Sequence, residues 1–564
     1  MAFSRLVTVS LLSSLAFVLA GCGDSTGETA TDSDATAGAD DDDDDNAGDD
    51  DDDDDDDSGT TEGPGGTDGE SDGETTGSPV VWGPAHGISI THVEANQGTR
   101  IDIGQGADWI DGSGRVGYLV KDRDMMIRVH YDVVDDWVPH EVEARLHLIH
   151  PDDTEETLTQ KVVVEGDSFE GDLQRTFYFG LTADKNQVQP GTKYQVELYE
   201  DESMAVGDEG DWANPASGPN FIGLEADPME IKIVLVPLHY QAEGKDIIAP
   251  MNEENLQAIE NYMHESNPVQ RILLEVHDPL PWTSPLQGLS QVLNTVAQLR
   301  QQENPAPNVY YHAMVDQGCQ FTGCGNGGLL GQAIDIPGPS QGQGYLRVAA
   351  SMYHTPNNDI VTDTSLETIV HEHGHSQGQF HIFCPGGGAA GTDNSYPDAN
   401  GGIQAWGFGI RYFMLHNPNV AYDYMSYCRP QWFGPWTWNK TYERILALTS
   451  WDQGDVAPEP EYPILIGAYN EDGSTEWWTA DGVIPDERLS ATDQIQFTIG
   501  GETVAQPAAI HEMVESDAYW VVTPLPAGLD SISSIVHLQG GEAAPPVQPA
   551  NVRELHHTTQ FVSP

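Results

Sequence analysis

The run His371-Glu372-His373-Gly374-His375-Ser376-Gln377-Gly378-Gln379-Phe380-His381 constrains this chain more than any other stretch of it. On a helix, residues four apart share a side, so His371 and His375 can meet one ion. Gly378 can take positive φ without penalty, which lets the chain leave the helix sharply and swing His381 back towards the pair. Three imidazoles gathered in this way point to one zinc ion. Three protein ligands leave a fourth position for water or substrate, the catalytic arrangement and not the closed structural one. Glu372 stands beside the first ligand and can act on a water there without binding the ion, so it is the candidate general base. His373 lies about 200° around the helix from His371 and cannot share that ion. The reading for it is a packed or surface histidine. Thr364-Ser365-Leu366-Glu367 reads as a capping box with Thr364 at the N-cap, and Leu366, Ile369 and Val370 supply the apolar face. Gly374 costs a helix about 1 kcal/mol relative to alanine. The reason expected for it is a close backbone approach near the metal.

The motif with its third histidine resembles the signature of the metzincin clan of zinc endopeptidases. Asp423-Tyr424-Met425-Ser426-Tyr427-Cys428 supplies a methionine, Met425, where that clan carries its methionine turn. The resemblance extends over residues 229–455, and Met-Ser-Tyr is most similar to the pappalysin-like and the secreted mucin-degrading bacterial enzymes. It implies an α/β catalytic domain whose zinc helix lies behind a twisted, mostly parallel sheet, with substrate along the sheet's edge strand. It implies metal ligands His371, His375 and His381, catalytic Glu372, and Met425 beneath the imidazoles. Tyr427, two residues on, would be a phenol that rests on zinc and then swings to stabilise an oxyanion. The competing reading of Tyr427 is a packed aromatic. No Pro-Arg-Cys-Gly segment of the matrix-metalloprotease type occurs, so a cysteine-switch propeptide of that kind is not indicated.

The N-terminus reads as a targeting segment. Arg5 precedes an apolar stretch from Leu6 to Ala20, too short for a typical membrane span. Leu19-Ala20-Gly21-Cys22 resembles a bacterial lipobox, giving a signal over 1–22 and a lipid on Cys22. The expectation is a lipid-anchored protein of the outer membrane, surface-exposed or released, that meets the membrane through this lipid alone. The alternative is an ordinary secretory peptide with a chance cysteine. Export permits disulfides. Cys319, Cys324, Cys384 and Cys428 allow three pairings. Cys319–Cys324 would close a short glycine-rich loop, and Cys384–Cys428 would tie the segment after His381 to the methionine turn. A zinc-blocking thiol from the Cys319/Cys324 loop is the rival.

Residues 23–79 hold 24 acidic residues, no basic ones and almost no large apolar side chain. Such a segment cannot bury enough surface to offset its ordering entropy and is expected to be a disordered spacer. Calcium is a second candidate cation there, bound without specificity. The whole chain has a formal charge of −69. Phosphate recognition needs clustered Lys and Arg, so a nucleic-acid partner is not expected.

The remainder reads as a multidomain α+β chain. Residues 80–228 alternate as half-buried strands do, at Met126–Tyr131, Val142–Leu148 and Tyr194–Tyr199, and suggest a β-sandwich. Residues 229–455 run strand Ile231–Val236 ending at Pro237, helix Glu253–His264, strand Arg271–Val276, helix Pro285–Arg300, strand Val309–Met314 and a further strand Tyr345–Ala350. That order implies a parallel sheet. Residues 456–564 read as β-structure again, with strands Gln494–Ile499 and Tyr519–Val522. Trp477-Trp478 is expected in a core rather than as a stacking platform for sugar.

Two function classes follow. One is a zinc endopeptidase acting as a monomer on protein or glycoprotein substrates. The other is a non-enzymatic surface lipoprotein, an adhesin or glycan-binding protein whose zinc is structural. Retention of Glu372 favours the first, because folding alone does not need it.

Overall fold

The structure is a computed structural model that describes residues 80–318, 329–356, 359–454 and 456–557. Cys22, the acidic segment 23–79, Cys319 and Cys324 lie outside the described residues. The described part is a multidomain, mostly β protein with four α-helices.

Between residues 80 and 225 two antiparallel sheets face one another. One contains Ile88–Asn96, Arg100–Gln105, Met125–Val133 and Phe177–Leu181; the other is centred on His140–Ile149 and Lys193–Asp201. In each strand alternate residues turn inward, such as Ile127 and Val129 against Leu146 and Val196, and these fill a common core.

The strand Glu230–Tyr240 organises the next layer. It pairs in parallel with Arg271–Val276 on one side and with Val309–Val315 on the other. Val309–Val315 then pairs in parallel with Val348–Met352, and the antiparallel strand Gly331–Ala333 forms the edge. Both faces of this sheet are covered. Ile231, Ile233 and Leu235 join one core, while Val234, Val236 and Leu238 join another. A strand apolar on both faces is the mark of a sheet packed on both sides. The first core is shared with helices α1 (Glu253–Ser266), α3 (Asp363–Ser376) and α4 (Pro435–Thr449). The second is shared with α2 (Ser290–Glu303) and with Ile464, Ile466, Trp478, Met513, Ala518 and Trp520 from the C-terminal part.

That C-terminal part is an eight-stranded, almost wholly antiparallel sheet running from Tyr462–Tyr469 to Val552–Arg553. Trp477 and Trp478 are buried in its strand Thr475–Gly482. They serve packing, as expected.

Beyond shifts of up to four residues at other strand and helix ends, four boundaries differ from the sequence reading. The first strand runs through Pro237, because on one side its pairing with Arg271–Val276 ends at Leu235 and pairing with Leu280–Trp282 begins at Leu238. Proline has no N–H, and it falls in that gap. Helix α2 begins at Ser290 and not at Pro285, after Gly288, against which the Glu471 carboxyl packs. Tyr345 lies within a 3₁₀ segment, Gln341–Leu346, and the strand starts at Val348. The cap of α3 is Thr362, whose hydroxyl accepts from the Ser365 N–H, and not Thr364. Glu367 does not reach back to cap; its carboxylate pairs with Arg429 at 2.5 Å.

Candidate metal centre and catalytic cleft

Helix α3 carries His371 and His375 one turn apart, and both are buried. After Ser376 the chain turns at Gly378, whose φ is +91°. It is this φ that calls for glycine, and the Arg444 guanidinium packs into the space a side chain would take. The turn returns His381 to the same place. His375 Nε2 lies 3.1 Å from His371 Nε2 and 3.2 Å from His381 Nε2.

Each ring is oriented through its other nitrogen. His371 Nδ1 meets the Tyr424 carbonyl, His375 Nδ1 that of Gln379 and His381 Nδ1 that of Ala390, all at 2.8 Å. A carbonyl only accepts, so each Nδ1 carries a proton and each Nε2 is left facing inward, where its lone pair can meet a metal. Burial, foremost, holds His375 well below the usual imidazole pKa, in the neutral form a metal needs.

A fourth group enters from far along the chain. Glu515 Oε1 stands 3.4 Å from His371 Nε2 and 3.3 Å from His381 Nε2. The four ligand atoms lie within 4.8 Å of one another. Three imidazole lone pairs and a carboxylate facing one another repel unless a cation lies among them. A donor set of three nitrogens and one oxygen suits zinc.

Glu372 is fully buried, and its Oε2 has no hydrogen-bond partner. Burial and then the nearby Glu515 charge hold its carboxyl well above the usual range. Tyr427 donates its hydroxyl to Glu515 Oε1 at 2.7 Å, and the Tyr427 hydroxyl oxygen is 3.1 Å from His381 Nε2. Burial, then Glu515, keep this phenol protonated. His371, Glu372, His381, Tyr427 and Glu515 share with Gly331 of the edge strand a cleft of about 1290 Å³.

Met425 is buried beneath α3, and its sulfur lies 2.4 Å from where a Cβ on Gly374 would stand. Gly374 thus permits the close approach between the helix and the methionine turn. That turn is tied to its surroundings by the Ile382 N–H, which donates to the Met425 carbonyl at 2.9 Å. The bridge Cys384–Cys428 joins the same two segments. His373 points away, its ring 4.4 Å from that of Tyr310, and does not join the cluster of His371, His375, His381 and Glu515.

Glu515 was not legible beforehand. It is one of 91 acidic residues, 134 positions from His381, in a loop with no motif of its own. Among the described residues one further group could hold an ion: His92, Glu94 and His130, in the N-terminal sandwich. Arg100 and Arg128 stand 3.7 and 3.9 Å from Glu94, so the cationic role there is already taken.

No protein-family model and no curated protein matches the chain. Among solved structures it is similar to a calcium-binding mutant of Bacteroides uniformis beta-glucuronidase 2, at 11% identity over 41% of this chain and 28% of that one. The TM-score is 0.13, and a likeness of that size carries no argument about fold or activity.

Proposed function

We propose that this chain is a zinc-dependent endopeptidase of the metzincin type, acting as a lipid-anchored monomer of the cell envelope on extracellular proteins or glycoproteins. One observation carries the reading. Glu372 is a carboxyl buried beside three convergent imidazoles, lining an open cleft, with an oxygen that nothing in the fold satisfies. Burying such a group costs several kcal/mol unless a partner or a chemical task repays it.

A zinc ion held by His371, His375 and His381 would polarise a carbonyl and acidify a water. The Glu372 carboxylate is placed to take a proton from the attacking water and pass it to the departing amine nitrogen. The Tyr427 hydroxyl, already aimed at the ligand cluster, can donate to the carbonyl oxygen as charge builds on it. The edge strand Gly331–Ala333 supplies backbone groups against which an extended peptide could lie. Among the described residues no helix is long and apolar enough to cross a membrane, and the anchor proposed is the lipid on Cys22.

The second reading is a surface lipoprotein, an adhesin or glycan-binding protein, with a closed structural site. Glu515 favours it, since three histidines and one carboxylate make a complete tetrahedral set. The buried, unsatisfied Glu372 and the cleft favour the enzyme. Cleavage of casein or mucin that is lost with a chelator, and lost again in Glu372→Gln, separates the two.

A further inference from the structure

We infer that Glu515 is the fourth ligand of the bound metal ion and that the loop carrying it holds the enzyme in a latent state. This rests on the zinc endopeptidase reading above. The loop joins strands Glu502–Glu512 and Tyr519–Pro524 of the C-terminal sheet. Its ends are fixed: Met513 and Ala518 are buried in the core shared with the parallel sheet, and the Met513 N–H donates to the Ala518 carbonyl at 2.9 Å. Its tip, Val514 to Ser516, is only half-buried and projects into the cleft.

The tip makes two contacts that a substrate would need for itself. The Val514 N–H donates to the Ala333 carbonyl at 3.0 Å, so one backbone acceptor on the edge strand is occupied. An extended peptide adding to that edge would use the same group. The next residue, Glu515, places Oε1 3.4 Å from His371 Nε2, 3.3 Å from His381 Nε2 and 2.7 Å from the Tyr427 hydroxyl. That carboxylate stands where an attacking water or a scissile carbonyl would have to be, and it holds the very hydroxyl proposed to stabilise the oxyanion. Gln332 of the edge strand also donates to Ser516 of the tip.

Glu515 has φ +69°. For a residue with a Cβ this conformation is uncommon and costs of order 1 kcal/mol, so it persists only where contacts impose it. The Ser516 N–H donates to the Met513 carbonyl at 3.4 Å, so Glu515 is the third residue of a tight hairpin turn, and the turn imposes this φ while aiming the side chain at the cluster. Because the ends of the loop belong to a packed core, detaching the whole C-terminal sheet would disrupt that core. Displacing the tip alone breaks only a few polar contacts. Opening therefore belongs to residues 514–516.

The test uses the full chain loaded with cobalt(II) in place of zinc, as wild type, Glu515→Ala and Glu515→Gln. The glutamine variant keeps the side chain's size while giving a poor metal ligand. Visible absorption reads the ligand set, titration with acetohydroxamate reads access to the fourth position, and hydrolysis of a mixed peptide pool by the zinc form reads activity. The expected result is an altered cobalt spectrum in both variants and acetohydroxamate binding at least tenfold tighter than in wild type, with faster hydrolysis. An unchanged spectrum and equal hydroxamate affinity would overturn the proposal, whatever the hydrolysis shows. If spectrum and affinity change but no form cleaves any peptide, Glu515 stands as the ligand that closes the site, and the endopeptidase reading is what fails.

Discussion

Tyr427 donates its hydroxyl hydrogen bond to Glu515 Oε1 at 2.7 Å, across 88 residues of sequence. The bond joins the end of the methionine turn to a C-terminal loop, directly beside the Nε2 atoms of His371 and His381. In this state the phenol is engaged, and any part it plays in turnover begins with the loss of this contact.

Tyr427→Phe therefore has two separable consequences. In the Glu515→Ala background it should lower kcat with little change in KM, by up to about a hundredfold, the usual worth of one oxyanion donor. In the otherwise wild-type chain it should loosen the tip and bind acetohydroxamate more tightly. Steady-state kinetics with zinc content checked reads the first, and titration reads the second. An unchanged kcat in the Glu515→Ala background would assign Tyr427 to packing.

The ligand set makes a direct prediction for metal content. The wild type should carry one zinc per chain, and His371→Ala, His375→Ala and His381→Ala should each lose it on dialysis. Stoichiometric zinc in His381→Ala would show that the residues after Gly378 do not supply a ligand.

Gly374→Ala sets two effects against each other. Alanine is the better helix former by about 1 kcal/mol. Its Cβ would stand 2.4 Å from the Met425 sulfur and 3.1 Å from the Tyr424 ring, in buried surroundings. Overpacking of that kind costs typically about 1–3 kcal/mol. The net change should be destabilising, by about 1 kcal/mol or more, in thermal or denaturant unfolding. Met425→Leu, a near-isosteric swap, should cost under about 1.5 kcal/mol and leave zinc bound.

How much could be read in advance follows from sequence distance. His371, Glu372, His375, Gly378 and His381 are local, and helix geometry plus one glycine brings them together, so their arrangement was legible. The parallel order of Glu230–Tyr240, Arg271–Val276 and Val309–Val315 was legible because apolar runs alternate with helical ones. The cap of α3 was misplaced because Thr362 and Thr364 are chemically alike, and only the hydroxyl's reach to Ser365 N–H distinguishes them. Pro237 was read as a terminus because the gap in its neighbour's pairing is a tertiary fact. Glu515 was missed for the strongest version of the same reason. Its role exists only once a hairpin from the last sheet meets the edge of the central one.

The bridge Cys384–Cys428 spans 44 residues. By the chain-entropy relation a loop of that length is worth about 4 kcal/mol. Replacing both cysteines by serine should lower stability by up to that amount, and it should weaken zinc retention, since His381 and Met425 lie in the segments it joins. Non-reducing peptide mapping checks the pairing, and chelator competition checks the metal.

The central claim, that Glu372 serves chemistry and not folding, is tested most directly by comparing Glu515→Ala with Glu515→Ala/Glu372→Gln on one peptide substrate while measuring zinc in both. The account predicts one zinc per chain in each, equal thermal stability to within about 1 kcal/mol, and a loss of kcat/KM in the double variant of about two to four orders of magnitude, the usual worth of a general base. Equal turnover by the two proteins, each with its zinc in place, would contradict it.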